Sequence, residues 1–200
     1  MFSMLKRELK KSLKYSIDSL KFRWHVIKQG GYAAKSLIVT NQQYIHIGRK
    51  IKIKKGYRIE CYSRFAGIKM PPPSLTLFDK VLIGYNFTAL VANKVQIGSN
   101  TILASNVSLI SENHGIYVET NVPFYAQPLQ TGPIIIGEGC WIGQNVVVLP
   151  NVNIGAKCVV GANSVVTKDI PPYSIAVGIP AKVIKQYSFE SNRWETFNKV

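Results

Sequence analysis

IGEGCWIGQNVVVLPNVNIGAKCVVGANSVV, residues 136–166, falls into lines of six. An aliphatic residue opens each line: Ile136, Ile142, Val148, Ile154, Val160 and Val166. Glycine follows at positions 137, 143, 155 and 161. The fifth place is small or branched, at Cys140, Val146, Val152, Cys158 and Ser164. A period of six is neither the 3.6 of a helix nor the 2.0 of a lone strand. It is an internal repeat, which takes precedence over any local pattern. Its physical meaning is a prism-like coil with one line per side and the first and fifth residues inward. Glycine is expected at the bend, where an unusual backbone angle is needed. Three sides make one coil of about 18 residues, and coils stack by parallel pairing about 4.8 Å apart.

Working outward, the same spacing returns earlier in the chain. Ile97, Leu103 and Leu109 carry it, and so do Leu77, Ile83, Ala89 and Val95 after a two-residue slip. Ile47, Ile53, Ile59 and Phe65 read as degenerate early coils. Lys50, Lys52, Lys54 and Lys55 alternate there with Ile51 and Ile53, which turns the lysines to solvent and discourages edge pairing. GIKMPPPS, residues 67–74, interrupts the repeat, because three prolines cannot sit in a central strand. A longer break, HGIYVETNVPFYAQPLQTGP at 114–133, reads as a loop thrown out from one corner, and such breaks are usually functional. Three regions result: a helical arm at 1–36, the coil at 37–186 and a polar tail at 187–200, read as a short helix.

The arm is amphipathic. Leu5, Leu9, Leu13, Ile17, Leu20, Trp24 and Ile27 step by three or four and draw one stripe. Gly30-Gly31 ends the helix. The stripe suits packing on the coil or on a neighbouring subunit, or contact of residues 1–29 with an anionic membrane. Charge is concentrated in this part of the chain. Residues 1–69 hold 17 Lys and Arg against 3 Asp and Glu, a net of +14. The remainder holds 8 against 7, a net of +1. Nucleic acid is not the expected partner, since the aromatic residues lie on the apolar stripe and build no stacking platform.

The chain has no apolar run of about 20 residues, and its first residues lack the apolar segment of a signal peptide. A cytoplasmic protein is expected. Three cysteines fit a reducing compartment. Cys140 and Cys158, one coil apart, read as inward thiols, because in-register parallel geometry suits a disulfide poorly. His25, His46 and His114 show no ligand spacing, so no metal is expected.

The repeat resembles the hexapeptide-repeat acyltransferases, whose fold is a left-handed parallel β-helix. The resemblance implies an all-β fold of that hand, carrying an N-terminal amphipathic helix and a protruding loop at 114–133. Residues 80–186 look more specifically like the acetyl-CoA-dependent O-acetyltransferases acting on sugars. SENHG followed by QPLQTGPIIIGEGCWIG is closest to the polysaccharide-modifying subgroup. Within this family one histidine is the general base, and it matches His114. An imidazole can take the proton of a sugar hydroxyl as that oxygen attacks the thioester, then return it to the thiolate. With both substrates held together, no covalent enzyme intermediate is needed.

Many relatives place an aspartate three residues before this histidine. Here Ser111 stands there, followed by Glu112, which in an extended segment could face the same side as His114 and orient it. Acetyl-CoA is the implied co-substrate. Its thioester oxygen needs a donor, and the family uses the backbone N–H after the Trp141-Ile142-Gly143 step, that of Gln144. Trp141 borders the cofactor arm. Gly161, Ala162, Thr167 and Lys168 match the pantetheine contacts. Lys168, Lys182 and Lys185 match positions often basic in the family, suited to coenzyme A phosphates. For the carbohydrate acceptor, Tyr85, Asn86, Asn113, Tyr125 and Gln127 are the candidates. Ala89-Leu90-Val91 stands where galactoside and maltose enzymes carry Ala-Asn-Phe, which argues against a small galactoside and favours a surface polysaccharide or its lipid-linked unit. The family's flat-sided prisms pack in threes, so a homotrimer is implied, with His114 from one copy and the groove around Trp141 from another.

Other readings are an N-acetyltransferase of an amino-sugar nucleotide, a non-catalytic trimeric scaffold with a membrane-binding arm, and a zinc hydratase of similar coil shape. No βαβ glycine fingerprint supports the first, and three histidines are few for the last.

Overall fold

The computed structural model describes residues 2–35 and 38–196, with backbone only for residues 2–11. After one long helix, α1 (Phe2–Lys28), short strands climb three walls of a left-handed parallel β-helix. The first wall takes Tyr32–Ala33, Lys52–Ile53, Leu82–Ile83, Ile102–Leu103, Trp141–Ile142, Val159–Val160 and Ser174–Gly178. The second takes Ile38–Thr40, Arg58–Cys61, Thr88–Val91, Ser108–Ile110, Val147–Val148 and Val165–Val166. The third takes Ile45–Ile47, Ser74–Leu77, Lys94–Ile97, Ile134–Ile136 and Val152–Ile154.

Register confirms the period. Trp141 pairs with Val159, Val147 with Val165 and Ile134 with Val152, each 18 residues on. The first and fifth residues of every line from 136 to 166 are buried and fill the prism. Lys52, Lys54 and Lys55 point outward between buried Ile51, Ile53 and Tyr57. The two thiols of the repeat stay free and inward, Cys140 Sγ donating to Gly155 O at 3.1 Å and Cys158 Sγ to Pro171 O at 3.0 Å. Burial pushes the third thiol, Cys61, up to about 12.

The glycines do a different job from the one expected of them. Gly137 and Gly143 keep ordinary negative φ. The left-handed corner positions belong instead to Asn86, Asn106, Asn145 and Asn163 on one edge and to Lys50, Lys80, Asn100, Gly139 and Lys157 on another. Asparagine tolerates that conformation. Its amide also links the coils: Asn86 Nδ2 donates to Asn106 Oδ1, Asn106 to Asn145 and Asn145 to Asn163, at 2.8–3.0 Å. Glycine is required by proximity. A Cβ on Gly143 would lie 2.6 Å from Ala162 N, and one on Gly137 would lie 2.5 Å from Ala156 N.

Helix α1 closes the N-terminal end. It packs on the strands Tyr32–Ala33 and Ile38–Thr40, the edge strands of their walls, and so covers edges that would otherwise be open to pairing. The covering face is not the stripe drawn from sequence. Phe22 and Val26 are fully buried, with Phe22 against the Tyr57 ring at 5.7 Å, and Asp18 accepts the Asn41 N–H at 3.0 Å. Leu13, Ile17, Leu20, Trp24 and Ile27 all face outward. The expected contributions of the Leu5 and Leu9 side chains fall outside the described residues. Burying Phe22 and Val26 is worth roughly 1.5–3 kcal/mol apiece, enough to hold the cap without the outer stripe.

Two other expectations are corrected. Phe65 is no coil residue: it lies on an antiparallel hairpin, Arg64–Phe65 with Ile68–Lys69, turned by Ala66 and Gly67 at positive φ. The C-terminal tail is also a hairpin. Arg193–Thr196 pairs antiparallel with Lys185–Ser188, and Tyr173, Tyr187, Phe189 and Trp194 meet edge-on there. The arm boundary expected at 36–37 falls on residues outside the described set, while the first coil strand already begins at Tyr32. Among the described residues no helix is long and apolar enough to cross a membrane.

Candidate active site

Both interruptions of the repeat leave from the corner between the second and third walls. The first departs after Cys61 and returns at Ser74. The second departs after Ile110, runs out along Glu112–Asn113, comes back along Gln130–Thr131 and rejoins at Ile134. One coil separates them, so their tips meet. The Phe65 ring stands edge-on to the His114 imidazole, centroids 5.3 Å apart at 63°. His114 itself is exposed.

The surroundings of His114 are partly ionic. Glu112 is half-buried, and burial raises its carboxyl against an opposing pull from His114. No hydrogen bond joins the two. Beneath them Arg58 is paired with Glu60, and the Tyr62 hydroxyl donates to Glu60 Oε2 at 3.3 Å. Burial, then the charge of Glu60, pushes the Tyr62 phenol up. Ser111, where relatives often have aspartate, points inward. Its Oγ accepts the N–H groups of Ala92 and Asn93 at 2.8 and 3.2 Å and donates to Leu90 O. It braces the preceding corner and does not reach His114.

The raised Glu112 carboxyl has a measurable sign. A carboxyl whose pKa is higher folded than unfolded resists ionisation in the fold, so stability falls as pH rises through the carboxylate range. Glu112→Gln is therefore expected to raise Tm slightly at pH 7 and to leave it unchanged at pH 4, read by calorimetry at both values.

The residues matched to coenzyme A lie elsewhere on the prism. Trp141 is 57% exposed on the first wall, in an outward column that runs Leu82, Ile102, Trp141, Val159, Ile175. Lys185 pairs with Ile175 and Lys182 with Val177, extending the same wall. Gln144 and Ala162 turn the corner between the first and second walls on successive coils. Their neighbours' N–H groups are spent, Gly143 on Val160 O, Asn145 on Ser105 O, Gly161 on Ala176 O and Asn163 on Gln144 O. The N–H groups of Gln144 and Ala162 have no acceptor among the described residues. They are donors available to a ligand. Below Gln144 a shallow cleft of about 370 Å³ is lined by Lys54, Leu82, Tyr85, Ile102 and Ser105. Thr167 and Lys168, both exposed, stand apart from this set, at the corner between the second and third walls.

Several acceptor candidates change role. Gln127 is buried. Its Oε1 accepts the Tyr117 N–H at 2.9 Å, and its Nε2 donates to Tyr117 O and Val122 O. It holds the 114–133 loop together and is not a sugar contact. Asn86 is committed to the asparagine ladder. Tyr85 is exposed beside Gln144, away from His114. Asn113 is exposed next to His114, and Tyr125 is exposed on the loop's short 3-10 turn. Phe65 and Tyr62 were missed in the sequence, where the only signal was the proline run that marks the first interruption.

In a triangular prism the corner between the second and third walls is opposite the first wall. His114 and Trp141 of one chain therefore face apart. Gln144 is separated from that corner by the six residues to Pro150, about 20 Å of extended chain. Among the described residues no group of three His, Cys, Asp or Glu is placed to hold a metal ion.

Residues 133–168 match the family described as bacterial transferase hexapeptide (six repeats). A putative lipopolysaccharide biosynthesis O-acetyl transferase of Escherichia coli (strain K12) is 33% identical over 163 residues, 78% of this chain and 79% of that one. A maltose O-acetyltransferase from Clostridium difficile 630 superposes with a TM-score of 0.60 at 30% identity, over 72% of this chain and 71% of the other. A hexapeptide-repeat acetyltransferase from Vibrio cholerae O1 biovar eltor, solved with acetyl coenzyme A, superposes with a TM-score of 0.61 at 26% identity, over 72% and 73%. Similarity of this extent means that the chain belongs to the hexapeptide-repeat acyltransferases, as an enzyme of the O-acetyltransferase type.

Proposed function

We propose that the protein transfers the acetyl group of acetyl-CoA to a hydroxyl of a bacterial surface polysaccharide, or of its lipid-linked unit, with His114 as general base. The observation that carries this reading is the exposed imidazole at the corner where both insertions meet, with Phe65 against its edge and the Glu112 carboxyl beside it. A sugar hydroxyl placed on His114 gives up its proton as the oxygen attacks the thioester carbonyl. The carbonyl oxygen gains charge and takes the Gln144 N–H. The C–S bond then breaks, and His114 returns the proton to the departing thiolate.

In one chain the base and the donor are separated by a wall, so the site is completed between copies. A homotrimer of side-by-side prisms brings the insertion corner of one copy to the Trp141 wall of the next. Trp141, Gly143, Gly161, Ala162, Lys182 and Lys185 of one copy then border the coenzyme, with Thr167 and Lys168 on the insertion corner of the other. Asn113 and Tyr125 remain beside His114 for the acceptor. The likeness to a putative lipopolysaccharide O-acetyl transferase favours a polysaccharide, and a long chain can cross an open corner. Three free, buried thiols suit a reducing, cytoplasmic setting.

The test is incubation with labelled acetyl-CoA and a panel of native polysaccharides, lipid-linked oligosaccharides and amino-sugar nucleotides. Label is expected in an alkali-labile ester of the first two. Label found only as an amide on the nucleotide sugars would replace this reading.

A further inference from the structure

Helix α1 is apolar on two opposite faces, and the coil uses only one. Phe22 and Val26 are buried, while Leu13, Ile17, Leu20, Trp24 and Ile27 remain 43–64% exposed. At 3.6 residues per turn the centre of that outer stripe lies roughly opposite the buried face. The stripe runs about 21 Å, at 1.5 Å for each of the steps from Leu13 to Ile27. Because α1 lies across the terminal strands of the coil, its outer face looks away from the body. A continuous exposed apolar stripe of this length marks an interaction surface.

The charges along it choose the occupant. Lys21 and Lys28, seven residues apart, line one margin of the stripe, both exposed, while Lys14 Nζ turns to the coil and donates to Asn41 Oδ1 at 3.3 Å. Lys28 Nζ sits 5.0 Å over the Trp24 ring. From residue 12 to 28 the sole acid is Asp18, and it is turned inward onto Asn41. Arg23 is turned toward Ala33 O. The outer face therefore offers hydrocarbon and positive charge with nothing negative. Two such faces pressed together would set lysine rows side by side with no carboxylate between them. A surface that supplies hydrocarbon and negative charge together is an anionic lipid bilayer.

We propose that α1 lies flat in the headgroup layer of an anionic membrane. Leu13, Ile17, Leu20, Trp24 and Ile27 enter the acyl boundary, and Lys21 and Lys28 meet lipid phosphates. Trp24 suits that depth, with an apolar ring and a polar N–H. The orientation also places chemistry near the lipid. Lys14 lines a cleft of about 350 Å³ with Glu60, Tyr62 and Arg64, between the helix and the hairpin that carries Phe65 to His114. The docking surface stands whether or not the acceptor is lipid-linked.

The full-length protein is to be sedimented with vesicles of phosphatidylcholine alone and with about 30% phosphatidylglycerol. Retention by the anionic vesicles is expected to be at least tenfold greater, and to fall in high salt. Leu20→Glu/Trp24→Glu and, separately, Lys21→Gln/Lys28→Gln should each lower it tenfold or more. Melting temperature and transfer to a soluble acceptor should stay unchanged. No retention of the wild type on anionic vesicles overturns the proposal. So does a Leu20→Glu/Trp24→Glu variant that keeps its retention, or one that falls from oligomer to monomer in sedimentation velocity, which would make the stripe a subunit interface. The lysine variant serves as the readout if the double glutamate variant folds poorly.

Discussion

Replacing His114 with alanine is expected to lower acetyl transfer by about 10²- to 10⁴-fold, the usual contribution of a positioned acid–base group. The imidazole is exposed and, among the described residues, takes part in no hydrogen bond and has Phe65 as its one ring contact, so the fold should not notice its loss. The melting temperature should stay within about 1 °C of wild type, since exposed substitutions rarely exceed ±0.5 kcal/mol. The separation of His114 from Gln144 adds a second readout. A chain carrying His114→Ala still has a sound coenzyme wall, and a chain carrying Gly161→Val still has a sound base. Refolded together, the two should regain part of the activity that each lacks alone, because some corners then join an intact base to an intact wall. Transfer by His114→Ala at the wild-type rate would remove the base. Failure of the mixture, with both chains shown to assemble, would put the whole site within one chain.

The largest loss of stability is expected from the addition of a single methyl group. In Gly137→Ala the new Cβ would lie 2.5 Å from Ala156 N and 2.7 Å from Ala156 Cα and Gly155 C. All of these are backbone atoms of the next coil, held by the hydrogen bond from Gly137 N to Ile154 O at 2.8 Å. Neither coil can yield without opening the ladder. Overpacking of this kind costs about 1–3 kcal/mol, and the rigid neighbour puts Gly137→Ala at the upper end. Tm should fall by roughly 5–10 °C for a chain of this size. Asn145→Gly is the contrasting variant. It keeps the left-handed corner accessible and loses two ladder hydrogen bonds at the surface, so it should cost clearly less. A Gly137→Ala protein that melts with the wild type would show that coil spacing is not what demands glycine.

Much of the architecture was legible because the repeat is strict. A six-residue line with an aliphatic first place has one way to bury that place, and the 18-residue register followed from three sides. Cys140 and Cys158 read correctly for the same reason. The glycine reading erred on cause. A pattern reports that glycine is needed, but both a positive φ and a close neighbour demand it, and only the neighbouring coil distinguishes them. The helix stripe was open to the coil, to a neighbouring subunit or to a membrane, and only the tertiary structure removed the first of these. The exposed stripe has more large apolar residues than the buried face, so periodicity drew the outer side and not the covering one. Phe22 and Val26 stand four apart, too few to draw a stripe against Leu13, Ile17, Leu20, Trp24 and Ile27. Asn86 and Gln127 have the chemistry of sugar contacts, and nothing local reveals that their amides are already spent on other backbone and side-chain groups.

What the amino-acid order determined by itself is the coil, its stacking period and the two places where it breaks, because each rests on residue types repeated at short range. The meeting of those two breaks is a tertiary matter. Phe65 and His114 are 49 residues apart, and they touch because both insertions leave from the same corner of the prism, with one coil between them. Which corner an insertion leaves from depends on the count of residues in every turn before it, including the irregular ones. The same count sets Trp141 on the wall opposite His114. A periodic sequence can specify a prism, but the side of the prism on which each group stands is decided only when the chain has been wound.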